Sequence, residues 1–145
     1  MTAEEALNRH FVESGIYEEG CTRDDWYPGN IVSLRIGGTS LPVFPILRRD
    51  GPIVLHDLHH MIAGYPPTWR GEAELAAWEI GSGGCRWHVF YWIDRLSFLL
   101  VGLVAAPVAV WRAFARGRRS RNLFDQEPEA VLRMDIAELE GYVGP

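Results

Sequence analysis

From Leu96 to Trp111 the chain runs for sixteen residues without a charge; Ser97 is the one polar side chain, and Pro107 falls near the end. A helix that crosses a bilayer needs about 20 apolar residues, so this segment is short for that task. It can instead be a core helix of a small α-domain, or a helix that lines a hydrophobic tunnel or lies in a membrane interface. Asp94 and Arg95 bound it on one side, and Arg112, Arg116, Arg118, Arg119 and Arg121 follow on the other. A basic flank beside an apolar face is drawn to anionic headgroups, which favours peripheral membrane contact through Leu96–Arg121 over a spanning helix. The plain alternative for the arginines is a solvated helix face.

At 145 residues the chain suits one domain, and a hydrophobic share of 48% excludes general disorder. All fourteen basic residues are arginine and the net charge is −5, with acidic residues crowding the start at Glu4, Glu5, Glu13, Glu18, Glu19, Asp24 and Asp25. That balance argues against nucleic acid as a partner, which calls for a basic footprint. Cys21 and Cys85 make no disulfide framework, and the first residues do not read as a signal peptide, so a reducing, cytoplasmic setting is expected. Cys85, with His88 as its nearest base, reads as a packing residue before it reads as a catalytic thiol.

The patterning predicts a mainly α fold: a single domain of about five helices, with a small β-hairpin or extended element before the second helix. Thr2 and Glu5 form a capping box for a helix from Ala3 to Ser14, closed by Gly15. Residues 15–30 are turn-rich. Ile31–Ile36 reads as a strand and Gly37-Gly38 as a turn; Pro42 and Pro45 then restrict Leu41–Leu47 to an edge strand or extended loop. Ile53-Val54-Leu55 leads into the second helix. Gly64-Tyr65-Pro66-Pro67 ends it, because proline disfavours helical geometry at the residue before it. A third helix covers Arg70 to Ile80 and breaks at Gly81-Ser82-Gly83-Gly84. Beyond the apolar helix, Pro128 opens a last helix over Glu129–Glu140, with Gly141 as the stop. His88 stands among Trp87, Phe90, Tyr91 and Trp92, a set that reads as core, or as a wall for a flat aromatic or quinone ring.

The chemistry concentrates in HDLHHMIAGYPPTWRGE. On a helix His56 and His60 share a face one turn apart, and Asp57 lies on its edge three residues before His60. The Gly-Pro break then lets the next helix turn Glu72 back toward the histidines. Two imidazoles and two carboxylates suit a divalent ion such as Zn, Mn, Fe or Co. A single helical histidine is ordinarily a surface or core residue; three within five residues beside an aspartate are harder to dismiss. His59 falls on the flank of the face, either as an ordinary surface residue or as a proton shuttle or support to the ligands. Glu79, about two turns beyond Glu72, shares its face and can hydrogen-bond a ligand histidine and hold its tautomer. Glu74 points elsewhere, to solvent.

The spacing His56-Asp57-x-x-His60, eleven residues, then Glu72 resembles the signature of the Coq4 family of ubiquinone-biosynthesis proteins. Gly64-Tyr65-Pro66 looks like that family's Gly-x-Pro turn, Gly71-Glu72 its Gly-Glu, and Glu79 a further acidic position of the same helix. The resemblance covers Val54 to Ile80, with a weaker echo at Arg112 to Phe124 in Arg118-Arg119-Ser120-Arg121-Asn122-Leu123. As a short, divergent member, the chain would hold one divalent ion (Zn first; Mn, Fe, Co or Mg also suit) on His56, Asp57, His60 and Glu72. The resemblance implies action on a prenylated aromatic acid, a decarboxylation that is oxidative or not; the apolar segment with its arginines adds the expectation of a peripheral place on the inner face of a membrane. Glu79 or His59 would protonate the ring carbon where no oxygen is inserted.

Two other functions fit the same residues. The ion and the apolar helix can hold a prenyl lipid or its phosphate without breaking a bond, as a membrane scaffold, and a homodimer is allowed. The His56-Asp57 pair also fits an HD phosphohydrolase, which needs an upstream histidine, here His10, and a downstream aspartate, here Asp94 or Asp125. A zincin fits less well, since its glutamate would stand where Asp57 stands.

Overall fold

The computed structural model describes residues 1–23, 26, 31–36, 39–45, 51–86 and 88–145, the strands by their backbone alone. Among them the chain is mainly helical, with α1 (Ala3–Glu13), β1 (Ile31–Ile36), β2 (Thr39–Pro45), α2 (Pro52–Ala63), α3 (Trp69–Gly81), α4 (Val89–Ala105), α5 (Pro107–Gly117), α6 (Pro128–Arg133) and α7 (Ile136–Val143). The strands form an antiparallel pair with an irregularity between Val32 and Ser33. The expected turn at Gly37-Gly38 and the end of the Leu41–Leu47 segment lie outside the described residues, as does Trp87.

Among the described residues seven helices stand where the sequence predicts about five, because two predicted helices are each split. The first split falls at Ala106, whose backbone (φ −147°, ψ 54°) is not helical. Pro107 brings its own constraint: it lacks an N–H for the ladder and disfavours helix at the residue before it, so it starts α5 instead of continuing α4. The second split falls at Met134-Asp135. Met134 is extended (ψ 157°), its carbonyl accepts from Ala3 N–H at 2.9 Å, and the Asp135 side chain caps α7 by accepting from Ala137 N–H at 2.9 Å. A capping aspartate offers the backbone a better partner than another helical turn does. The helix then runs through Gly141, the predicted stop, to Val143.

The other helix ends follow their sequence signals. Thr2 and Glu5 make the reciprocal capping box of α1. Pro52 opens α2, and Gly64 closes it in the left-handed region at φ 74°, a conformation that glycine adopts without a side-chain clash. Thr68 then caps α3 by accepting from Gly71 N–H at 3.2 Å. At Gly71 an added Cβ would lie 1.9 Å from the Pro66 carbonyl oxygen, so only glycine lets the first turn of α3 press onto the Pro66 turn. That approach fixes where the next residue, Glu72, points.

Leu7 and Phe11 of α1, Val54, Leu55 and Leu58 of α2, Leu75 and Trp78 of α3, Val110 of α5, Leu132 of α6 and Leu139 of α7 share one buried cluster. Of the apolar segment, Val110 belongs to it and Leu99 packs against it, but α4 adds no buried side chain to the cluster. Of α4 only Tyr91, Arg95 and Gly102 are buried, whereas Leu100 is 64% and Val104 87% exposed, so the α4 part of the segment is not a core helix. Ile93, Leu96, Val101 and Leu103 of α4, with Val108 and Trp111 of α5, complete the exposed apolar face. Among the described residues no helix is long and apolar enough to cross a membrane.

Candidate metal centre

Three helices build the site. One face of α2 carries His56, His59 and His60; α3 presents Glu72 and Glu79 two turns apart; α4 inserts Arg95. The rings of His56 and His60 meet edge to face with centroids 4.7 Å apart, as helical neighbours four apart should.

Both rings turn Nε2 toward Glu72. His60 Nε2 lies 2.9 Å from Glu72 Oε1, and His56 Nε2 lies 3.5 Å from Glu72 Oε2. Their other nitrogens are already committed. His60 Nδ1 donates to the Tyr65 carbonyl at 2.8 Å, and His56 Nδ1 donates to Glu79 Oε1 at 2.9 Å. With Nδ1 the donor in each ring, Nε2 faces the carboxylate and needs a cation or a proton between them. His56, His60 and Glu72 each offer a ligand atom within 4.8 Å of the others, a spread that a single ion with bonds of about 2.0–2.2 Å can gather with modest adjustment. Two imidazoles and one carboxylate, with the far nitrogens held by a carboxylate and a carbonyl, are a donor set suited to Zn or non-haem Fe(II). The residues present therefore fit such an ion.

Behind the ligands lies His59, fully buried and not a surface residue. Its Nδ1 donates to Glu79 Oε1 at 2.8 Å, while its Nε2 accepts from Leu123 N–H at 2.9 Å. Burial pushes its pKa below the ordinary value against the pull of Glu79, in keeping with a neutral ring whose two nitrogens have opposite roles. Glu79 is thus the shared acceptor of two imidazoles. Burial alone would raise its pKa, but His56, His59 and Arg95 outweigh burial and hold it well below the usual carboxylate range. Glu72 follows the same pattern through His56 and His60. Burial and Arg95 push His56 down; Glu79 and Glu72 prevail and raise it to about 10.

Arg95 is the residue that sequence reasoning missed. Its Nη1 lies 3.2 Å from Glu72 Oε2 and 3.7 Å from Glu79 Oε2, and its Nε donates to Asp94 at 2.7 Å. Only 5% exposed, it neutralises carboxylates that burial would otherwise make costly. The available signal was a lone arginine at the head of an uncharged helix, read from sequence only as a boundary. Arg116 is a second such residue. It donates to the Ala63 carbonyl at 2.5 Å and lies over the Tyr65 ring, so this member of the basic cluster clamps the turn that holds His60.

Asp57 does not join the converging ligand atoms, although the sequence places it among the ligands. Its charge is felt instead by His10 of α1. None of His10, Asp94 and Asp125, the extra residues of the HD reading, belongs to the group either. Glu79, held ionised, and His59, with both nitrogens engaged, orient the site; neither stands ready to deliver a proton. His88 caps α4 by accepting from Tyr91 N–H at 3.2 Å, and of its aromatic neighbours Tyr91 turns inward against Phe124 with centroids 5.0 Å apart.

In comparisons with protein-family models, curated proteins and solved structures, the chain matched none.

Proposed function

We propose that this protein is a metal-dependent member of the Coq4 type that acts on a prenylated aromatic acid of the hydroxybenzoate class, removing its carboxylate. The observation that carries the reading is the shared geometry of His56 and His60: each turns Nε2 to Glu72 while its Nδ1 is held from behind. This supports His56, His60 and Glu72 as the residues that would hold the ion, one carboxylate fewer than the four-residue signature. When bound, such an ion supplies Lewis-acid stabilisation of negative charge on the substrate's carboxylate or phenolic oxygen. The chain does the rest. Glu79 keeps the His56 ring in register, and Arg95 offsets the buried carboxylates so that an anionic substrate is not repelled. In the reaction the ring–carboxylate bond breaks, carbon dioxide leaves, and the electron pair left on the ring carbon takes up a proton or, with an external oxidant, an oxygen.

The exposed face of α4 and α5 supports an isoprenoid or lipid partner at a membrane's inner surface. The same face favours a second reading, a non-catalytic scaffold that holds a prenyl lipid. Carbon dioxide release from a geranylated 4-hydroxybenzoate by Zn- or Fe-loaded protein, with and without oxygen, separates the two. Release that is lost in His60→Ala supports the enzyme; no release from a fully loaded sample leaves the scaffold.

A further inference from the structure

Where α3 gives way to α4, the Ser82-Gly83-Gly84 turn meets the Ser120-Arg121-Asn122 segment and the end of α7, and a cavity of about 280 Å³ opens between them. Arg86, Arg121, Asp125 and Tyr142 complete its lining. Asn122 ties the frame together. Its Nδ2 donates to the Ser82 carbonyl at 3.1 Å and to the Gly84 carbonyl at 3.3 Å, and its Oδ1 accepts from Phe124 N–H at 3.1 Å.

Most polar groups of the cavity are thus committed. Asn122 covers carbonyls that would otherwise repel an anion, and the Ser82 and Ser120 hydroxyls donate to main-chain oxygens. The two guanidinium groups are not committed. Among the described residues Arg86 has no hydrogen bond or ion pair, and the Arg121 guanidinium meets only the Tyr142 ring, 5.6 Å from its centroid. A guanidinium stacked on a ring keeps its N–H edge free for an oxyanion. The Tyr142 hydroxyl accepts from Gln126 Nε2 at 3.2 Å and retains its own proton to donate. Asp125 is the one acid among the lining residues, and it pairs with neither arginine. One exposed arginine calls for no explanation; two without a counter-ion on the same polar cavity do.

We infer that this cavity binds the phosphate group of a small phosphate ester, with Arg86 and Arg121 on its oxygens and Asp125 accepting from a hydroxyl of the esterified alcohol. The site lies outside the metal centre and does not depend on the function proposed for it. Two guanidinium forks call for more acceptor oxygens than a carboxylate has, which favours phosphate. Asp125 repels a bare dianion but accepts readily from an alcohol O–H. The volume falls just below the roughly 300–1,000 Å³ of drug-sized ligands, which suits a small polyol. Free polyol phosphates and the glycerophosphate headgroup of a lipid share that chemistry.

Titration calorimetry with glycerol 3-phosphate and binding to phosphatidylglycerol vesicles test the assignment in wild type, Arg86→Gln and Arg121→Gln. Each substitution should weaken binding of at least one of the two about tenfold or more, since a charge-assisted contact is lost. Loss with free glycerol 3-phosphate places the ligand in solution; loss confined to vesicles places it on a lipid. Arg112→Gln, exposed but away from the cavity, controls for diffuse attraction and should weaken binding less. Wild type should prefer glycerol 3-phosphate to inorganic phosphate, or phosphatidylglycerol to phosphatidic acid vesicles, and Asp125→Asn should lose that preference. A preference that survives in Asp125→Asn overturns the hydroxyl contact. Unchanged binding in both cavity variants, an equal loss in Arg112→Gln, or no binding of either ligand by wild type overturns the site.

Discussion

Glu79 Oε1 lies 2.9 Å from His56 Nδ1, so a carboxylate two turns along α3 from Glu72 sets the tautomer of a histidine that faces Glu72 with its other nitrogen. The expected consequences are graded. Metal analysis of purified protein should find about one divalent ion per chain, and His60→Ala or Glu72→Ala should remove it. Glu79→Gln keeps the size but deletes the charge, and zinc affinity should fall by about 10–100-fold, as it does when a carboxylate behind a ligand histidine is lost. Turnover, where present, should fall at least tenfold, about 1.4 kcal/mol of barrier. Asp57→Asn should leave stoichiometry intact, since Asp57 is not among the converging ligand atoms. Loss of the ion in Asp57→Asn, or its retention in both ligand variants, would place the centre elsewhere.

Gly71 makes a second prediction, of stability. Alanine there would put Cβ 1.9 Å from the Pro66 carbonyl oxygen, so the α2–α3 turn must shift. Gly71→Ala should destabilise by about 1–3 kcal/mol in urea melts, as overpacking does, and weaken ion binding because Glu72 is the next residue. Gly141→Ala is the control. Its Cβ would meet nothing within 4 Å, and α7 should gain up to about 1 kcal/mol from the better helix former. Equal effects at the two sites would mean that the tight approach at Gly71 does not hold in solution.

These residues also mark how far the sequence could be read. Spacing alone placed His56 and His60 on one face of a helix and Glu79 on the face of Glu72, because helical geometry is local. Asp57 shows the complementary limit. Its position on the edge of that face is local, but which edge meets α1 and which meets α3 is decided by packing. Arg95 was out of reach, since nothing in its neighbourhood says that α4 lies against α3. The split helices left better traces in Pro107 and Asp135, both able to start a helix where periodicity alone would run on. The exposed face of α4 left none, because uncharged residues read alike whether they face a core or the surface.

The tie between Arg23 and α6 predicts a pH and salt dependence away from the site. Arg23 Nη1 donates to Glu129 Oε2 at 2.9 Å, Nη2 pairs with Oε1, and the Glu129 carboxyl is held below its usual range chiefly by that hydrogen bond. A carboxylate depressed in the folded state adds stability above its unfolded pKa, about 4.3, and loses it as the pH falls through the folded value. Thermal melts of wild type and Glu129→Gln should therefore differ slightly at pH 7 and converge on acidification below about pH 4. High salt should narrow the gap, because the pair is still reached by solvent. A gap that persists in acid would show that the effect does not come from this ion pair.

The last prediction concerns the apolar face. Leu100, Val104, Val108 and Trp111 are each more than half exposed, and Arg112 beside Trp111 is exposed too. A helix pair that presents such a surface should bind vesicles containing anionic lipid by peripheral insertion, with a salt-sensitive part from arginine and an apolar part from the four side chains. Val104→Ser with Trp111→Ser should lower the partition coefficient at least tenfold while leaving the zinc stoichiometry unchanged, since both side chains are mostly exposed and neither belongs to the His56, His60 and Glu72 group. Neutral vesicles should bind less than anionic ones, and alkaline carbonate should release the protein from native membranes. Retention in the pellet after carbonate would contradict peripheral attachment, which rests on α4 ending at Ala105 and α5 turning back at Pro107, too short a helix to cross. Equal binding to neutral and anionic vesicles would leave the apolar face engaged but remove the arginines from the account.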